Sequence, residues 1–342
     1  MMNGYQRIIA ALKGEQPDSI PVMLHNFMMA AKEAGYTQAE YRSDPQKIAN
    51  AFIQSVEKYQ YDGILVDVDT VTLAGAVGVP VDFPEHEPAR SNRGCLNDLK
   101  EVDDLGEPEI SKNERIQIWL EAVRILVQYF GKEILIRGNC DQAPFSLASM
   151  MRTPAGWMLD LLDPENQERV HRLLSYCLEA GRQFMQLMAG TGAHLLSNGD
   201  SPAGPEMISP EMYREFAMPY EARMVETASK LGLGYILHIC GNTGLILADM
   251  VETGADGVEL DHKTDALLAR DITSNRCCFI GNIDPSGVLA LGDQQTVATK
   301  TKELLALFGR TRGFILNAGC AIPAETPPEN IRTMIRTARE FL

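Results

Sequence analysis

The chain has 342 residues, 45% of them hydrophobic and 23% charged, and a formal net charge of −15. That length exceeds the usual single domain but suits a barrel and buries a sizeable core unaided. The acidic balance argues against nucleic-acid binding, and no 18-residue apolar run exists to span a membrane.

The N-terminal run from Met1 to Asp18 is amphipathic, with no long apolar stretch and no small-residue cleavage site, so it reads as a first helix rather than a signal peptide. Seven cysteines, an odd number in a long chain, make a disulfide framework improbable and point to a cytoplasmic protein.

In chain order, short apolar runs predict eight strands: 20–25, 63–69, 134–139, 194–200, 234–240, 257–261, 278–284 and 313–317. Between them, apolar residues at three- and four-residue spacing predict helices over 45–59, 114–130, 164–189, 210–231, 243–253 and 296–308. Asp44-Pro45, Asp163-Pro164, Ser209-Pro210 and Pro327-Pro328 supply start signals. Strand–helix alternation implies a parallel sheet with right-handed crossovers, and eight strands favour a (β/α)8 TIM barrel over a doubly wound open sheet. Residues 79–108, with several Pro, break the rhythm as a long excursion after strand two, a lid or pocket wall. No linker divides the chain, so 1–342 reads as one domain.

The strand ends are polar: His25 and Asn26, Asp67 and Asp69, Arg137 and Asn139, Asn198 and Asp200, His238 and Cys240, Glu259 and Asp261, Asn282 and Asp284, then Asn317. In a barrel of this kind the carboxyl ends of the strands surround the active site. Some Asp and Asn there cap the following helices, Asp284 before Pro285 among them. Capping does not account for His-x-Cys.

His238 and Cys240 stand two apart on one strand and therefore face the same side. Taken singly, a strand His is as readily a packed core residue, and a buried Cys a small hydrophobe. Cys320, after the last strand, offers a third soft ligand at the same end of the barrel. Two thiolates and an imidazole suit Zn²⁺ and leave a fourth position for water or substrate. Glu259 is the first candidate for that position at rest, with Asp200 and His25 behind it. Cys277 and Cys278 are adjacent and face opposite ways, so they read as structural, as does Cys177 on a helix.

Four passages carry a family resemblance: Asp62 to Asp69 running on to Gly78; Ala143-Pro144-Phe145-Ser146-Leu147; Asp200-Ser201-Pro202-Ala203-Gly204 with Pro210 to Tyr213 and Met218-Pro219-Tyr220; and Asn317-Ala318-Gly319-Cys320. Over essentially its whole length the chain resembles the uroporphyrinogen decarboxylase superfamily, whose fold is a (β/α)8 barrel. The resemblance implies two possible chemistries. True decarboxylases grip a polycarboxylate tetrapyrrole with an Arg-rich stretch after strand one. Here that stretch is His25-Asn26-Phe27-Met28-Met29-Ala30-Ala31, with no Arg between His25 and Arg42. Decarboxylases carry a Tyr where this chain has Met150 and a His where it has Cys320; the family's Asp and a Ser are matched by Asp69 and Ser201. The methylcobamide:coenzyme M methyltransferases are the closer likeness, because their zinc site has the form His-x-Cys with a distant Cys.

That likeness implies a zinc enzyme moving a methyl group between a corrinoid, carried on a separate protein, and a thiol. His238, Cys240 and Cys320 would ligate the metal. Asp69, Asp200 and Glu259 are the candidate catalytic groups, and His25, Asn198, Ser201 and Asn242 the candidate substrate contacts. The competing classes are a tetrapyrrole decarboxylase without metal, a zinc lyase or hydrolase with Asp69 or Glu259 as base, and a corrinoid- or metal-binding accessory protein.

Overall fold

In the computed structural model, which describes residues 1–308, 311 and 313–341, eight parallel strands stand in sequence order around a ring. They are β1 (Met23–Leu24), β2 (Gly63–Val66), β3 (Leu135–Gln142), β4 (Leu195–Gly199), β5 (Gly234–Ile239), β6 (Gly257–Leu260), β7 (Cys278–Ile283) and β8 (Phe314–Ala318). The ring closes through the Val22–Leu316 bridge, where the Leu316 amide donates to the Pro21 carbonyl at 2.9 Å. The (β/α)8 expectation is met, and all eight expected strands are present. Most are shorter than expected because their polar ends bend out into loops; β3 instead runs on to Gln142 past a register shift.

Helices arise where caps and periodicity agree. Pro45–Tyr59 starts on the Asp44 carboxylate, which accepts from the Gln46 amide at 2.9 Å, and ends on Gln60 in the left-handed region. Glu114–Phe130 has the expected bounds. The stretch expected as a helix over 164–189 opens with a 3₁₀ turn, Pro164–Asn166, before Gln167–Ala189. The one expected over 210–231 breaks at Ala217 into Pro210–Phe216 and Met218–Lys230, since Pro219 donates no backbone hydrogen bond to continue the first helix. The one expected over 243–253 shrinks to Leu247–Glu252: the Thr243 amide is taken by Thr264 Oγ1 at 3.0 Å and the Gly244 amide by Asn242 Oδ1 at 3.0 Å.

Helix Gly4–Leu12, capped by a reciprocal Asn3–Gln6 pair, plugs the amino end of the barrel. Its Ile8 and Ala11 meet Met23, Leu135, Leu195, Ile236, Ile280 and Ile315 in an apolar floor. A Cβ on Gly4 would come within 2.7 Å of the Asp62 backbone carbonyl oxygen, so glycine lets the start of this helix approach the chain entering β2. With the lower barrel sealed by apolar side chains, polar groups collect at the carboxyl end. The 79–108 excursion is largely irregular, carries the 3₁₀ helix Leu99–Asp104, and contributes Pro88 to the cavity there. No helix among the described residues is long and apolar enough to cross a membrane.

Candidate metal centre

β5 presents alternate side chains to opposite faces. Ile239 is buried outward among the helices, while His238 and, one step beyond the strand, Cys240 face the barrel mouth. Cys320 arrives from the loop after β8. Gly319 makes that approach possible, because a Cβ there would sit 2.4 Å from the His262 amide nitrogen. The three side chains, far apart in sequence, bring their ligand atoms within 4.8 Å of one another. His238 Nε2 lies 3.0 Å from Cys240 Sγ, which lies 3.5 Å from Cys320 Sγ. None of the seven cysteines forms a disulfide.

This donor set fits zinc. Tetrahedral bonds of about 2.3 Å to sulfur and 2.0–2.1 Å to nitrogen separate ligand atoms by roughly 3.5–3.8 Å, close to the spacings observed. His238 Nδ1 stands 3.0 Å from the Glu259 backbone carbonyl, an acceptor that keeps a proton on Nδ1, so Nε2 is the nitrogen that would ligate a metal. The electrostatics favour a thiolate at Cys240. A hydrogen bond from Cys320, together with the His238 charge, outweighs burial and lowers the Cys240 thiol to about 3, while the same bond and burial push Cys320 far up. Burial lowers the His238 pKa, but the Cys240 thiolate and Glu259 outweigh it and raise the value to about 9.

In front of the three donors lies a cavity of roughly 230 Å³. Beneath it Arg137 and Glu259, both about 1% exposed, form an ion pair through Arg137 Nη1 and Glu259 Oε2. Burial raises the Glu259 pKa, but Arg137 first, then His238 and His25, bring it down to about 2. His25 Nε2 donates to Asp67 Oδ2 at 2.7 Å, and Asn139 Nδ2 donates to Asp67 Oδ1 at 3.1 Å.

The cavity wall brings together His25, Asn198, Ser201, His238, Cys240, Glu259 and Cys320 from the residues singled out in the sequence. Ser201 Oγ accepts from the Cys240 amide at 3.3 Å; Asn198 Nδ2 donates to the Cys140 carbonyl at 2.6 Å, and its Oδ1 accepts from Tyr235 at 3.1 Å. Asp69, Asp200 and Asn242 are not on that wall. Asp69 accepts from the Val71 and Thr72 amides at 2.9 and 2.8 Å. Asp200 accepts from the Ser146 amide and hydroxyl at 2.7 and 2.6 Å, and Asn242 is exposed in the turn after Cys240. Asp67, Arg137 and Asn139 are on the wall, though the sequence reading went no further than naming them as strand-end polar groups. Their signal is the two-residue alternation Leu65, Asp67 and Arg137, Asn139.

The profile of a family described as Uroporphyrinogen decarboxylase (URO-D) matches residues 3–341. Methylcobamide:CoM methyltransferase MtbA of Methanosarcina acetivorans is 28% identical over 341 residues, 98% of this chain and 97% of that protein. A Uroporphyrinogen decarboxylase of Trichodesmium erythraeum is 29% identical over 353 residues, 98% of this chain and 95% of that one. A solved structure, a methyltransferase from Methanosarcina mazei, superposes with a TM-score of 0.90 at 23% identity, covering 100% of this chain and 99% of the other.

Proposed function

The chain belongs to the uroporphyrinogen decarboxylase family, and within it we propose a zinc-dependent methyltransferase that moves a methyl group between a corrinoid and a small thiol, the class of reaction for which relatives are named with coenzyme M as the thiol. The observation that carries this reading is the convergence of His238 Nε2, Cys240 Sγ and Cys320 Sγ at the mouth of the barrel. The names of relatives such as the Methanosarcina acetivorans protein support it.

His238, Cys240 and Cys320 would hold the metal and leave one position facing the cavity. Bound there, zinc would convert a thiol of pKa ~8.5 into a thiolate at neutral pH. The chain's own groups set the geometry. The Glu259 carbonyl fixes the His238 ring, and Ser201 Oγ holds the Cys240 amide. Arg137 neutralises the Glu259 carboxylate, so that charge does not compete for the fourth position. Asp69 and Asp200 brace the loops around the site through backbone hydrogen bonds. The corrinoid would approach the open carboxyl end on a partner protein, in the cytoplasm.

Tetrapyrrole decarboxylation, the family's other chemistry, fits this cavity poorly. About 230 Å³ is below the 300–1,000 Å³ typical of drug-sized ligands, and Arg137 is its one Lys or Arg among the described residues. The test is metal content with turnover. The purified protein should carry one zinc per chain, and His238→Ala and Cys320→Ala should lose it. Methylcobalamin should be demethylated only when thiol and zinc-loaded wild type are both present. A wild type without zinc, or variants that keep it, would end this reading.

A further inference from the structure

The cavity in front of the three donor atoms has an uneven charge pattern. Its carboxylates are Asp67, Asp141 and Glu259, while Arg137 is the one Lys or Arg among the described lining residues and is already engaged by Glu259. His25, the basic side chain beside it, turns Nε2 toward Asp67. Lys32 and Arg90, close in sequence to the lining segments, are also paired, Lys32 with Glu325 and Arg90 with Asp82 and Glu87, while Arg93 is exposed and outside the lining. The rest of the wall includes Phe27, Met28, Leu65, Pro88 and Ala321, which offer no charge. A sulfonate or carboxylate entering here would shed its hydration, find no free cation, and meet the Asp67 carboxylate, whose two oxygens already take the donors of His25 and Asn139. A hydroxyl would lose far less, and an ammonium would meet carboxylates rather than a second cation.

Resting on the methyltransferase reading above, we propose that the thiol substrate is uncharged or positively charged, and that Asp67 discriminates against anionic thiols. The likeness to enzymes named for coenzyme M then extends to the metal chemistry but not to recognition of the sulfonate.

The test compares thiols of matched length on the zinc-loaded wild type with methylcobalamin: 2-mercaptoethanol, 2-aminoethanethiol and 2-mercaptoethanesulfonate. Calorimetric binding of their S-methyl thioethers removes differences in thiol ionisation. Both kcat/KM and thioether affinity should favour the neutral and cationic compounds over the sulfonate by at least about tenfold. Asp67→Asn should narrow that gap by improving sulfonate binding rather than by weakening the neutral ligand; the wild-type series stands even if that variant folds poorly. Sulfonate binding equal to or tighter than the neutral thioether overturns this proposal alone. Turnover of no thiol at all removes the methyltransferase reading, and this proposal with it.

Discussion

Arg137→Met should expose what holds the centre of the barrel together. Glu259 is about 1% exposed, its Oε2 accepts from Arg137, and its Oε1 has no hydrogen-bond partner. Burial alone would raise its pKa above the ordinary 4.5, yet Arg137 above all, with His238 and His25, brings it to about 2. A difference of that size is worth about 3 kcal/mol. Removing one partner of a buried pair costs about 3–5 kcal/mol, because the remaining charge stays desolvated. At ~2.1 cal/mol/K per residue, unfolding 342 residues changes free energy by about 0.7 kcal/mol per degree, so Tm should fall by roughly 4–7 °C. Because the folded pKa lies below the unfolded one, this stability is complete above about pH 4.5 and is lost as pH falls toward 2. The Tm gap between variant and wild type, measured by scanning calorimetry, should therefore be full at pH 7 and close below pH 4. Arg137→Met with Glu259→Leu should recover much of the loss, since an apolar pair of similar volume needs no counter-charge. A single variant within about 1 °C of wild type at pH 7, or a double variant no more stable than the single one, would refute the account.

Glu221 and Asp200 are a second buried pair, this time of two acids, and no donor reaches Glu221 Oε1 or Asp200 Oδ2. Burial raises Asp200 to about 6, against the hydrogen bonds from Ser146, and burial with the Asp200 charge pushes Glu221 well above the carboxylate range. Both folded values exceed the unfolded ones, so stability falls as pH rises through 4 to 6 and beyond. Glu221→Gln, which still accepts from Tyr213 and gains an amide donor, should stabilise by roughly 1–3 kcal/mol at pH 8 and by much less at pH 5. A lowered Tm at pH 8 would contradict this. Asp69→Ala should cost about 1 kcal/mol by leaving the buried Val71 and Thr72 amides without their acceptor, yet leave zinc content at wild-type level. Loss of zinc in that variant, measured by atomic emission, would assign Asp69 a more direct part.

How much of this could be read from the sequence depends on which contacts are local. The barrel was legible because strands covered on both faces are short apolar runs, and because caps such as Asp44-Pro45 announce the helices between them. Helices Pro144–Arg152 and Pro154–Leu162 are not legible in the sequence because they are short and meet at Thr153, at a positive φ that no sequence pattern announces. His238 and Cys240 were legible for the same reason as the strands: a period of two fixes a shared face. That period fails where β2 ends at Val66. Asp67 still points into the cavity, whereas Asp69, two residues on, has entered a turn and accepts from the Val71 and Thr72 amides. Family likeness drew attention to Asp69, and only the position of the strand end separates the two aspartates. The Arg137–Glu259 pair spans the barrel from β3 to β6, so finding it requires the curvature of the closed ring as well as the strand pattern. Cys320 lies between these cases. Its chemistry and its place after the last strand nominate it, but its approach to Cys240 depends on Gly319 fitting against the His262 amide. A substitution at Gly319 should therefore disturb the candidate metal centre through the backbone while leaving all three donor side chains in the sequence.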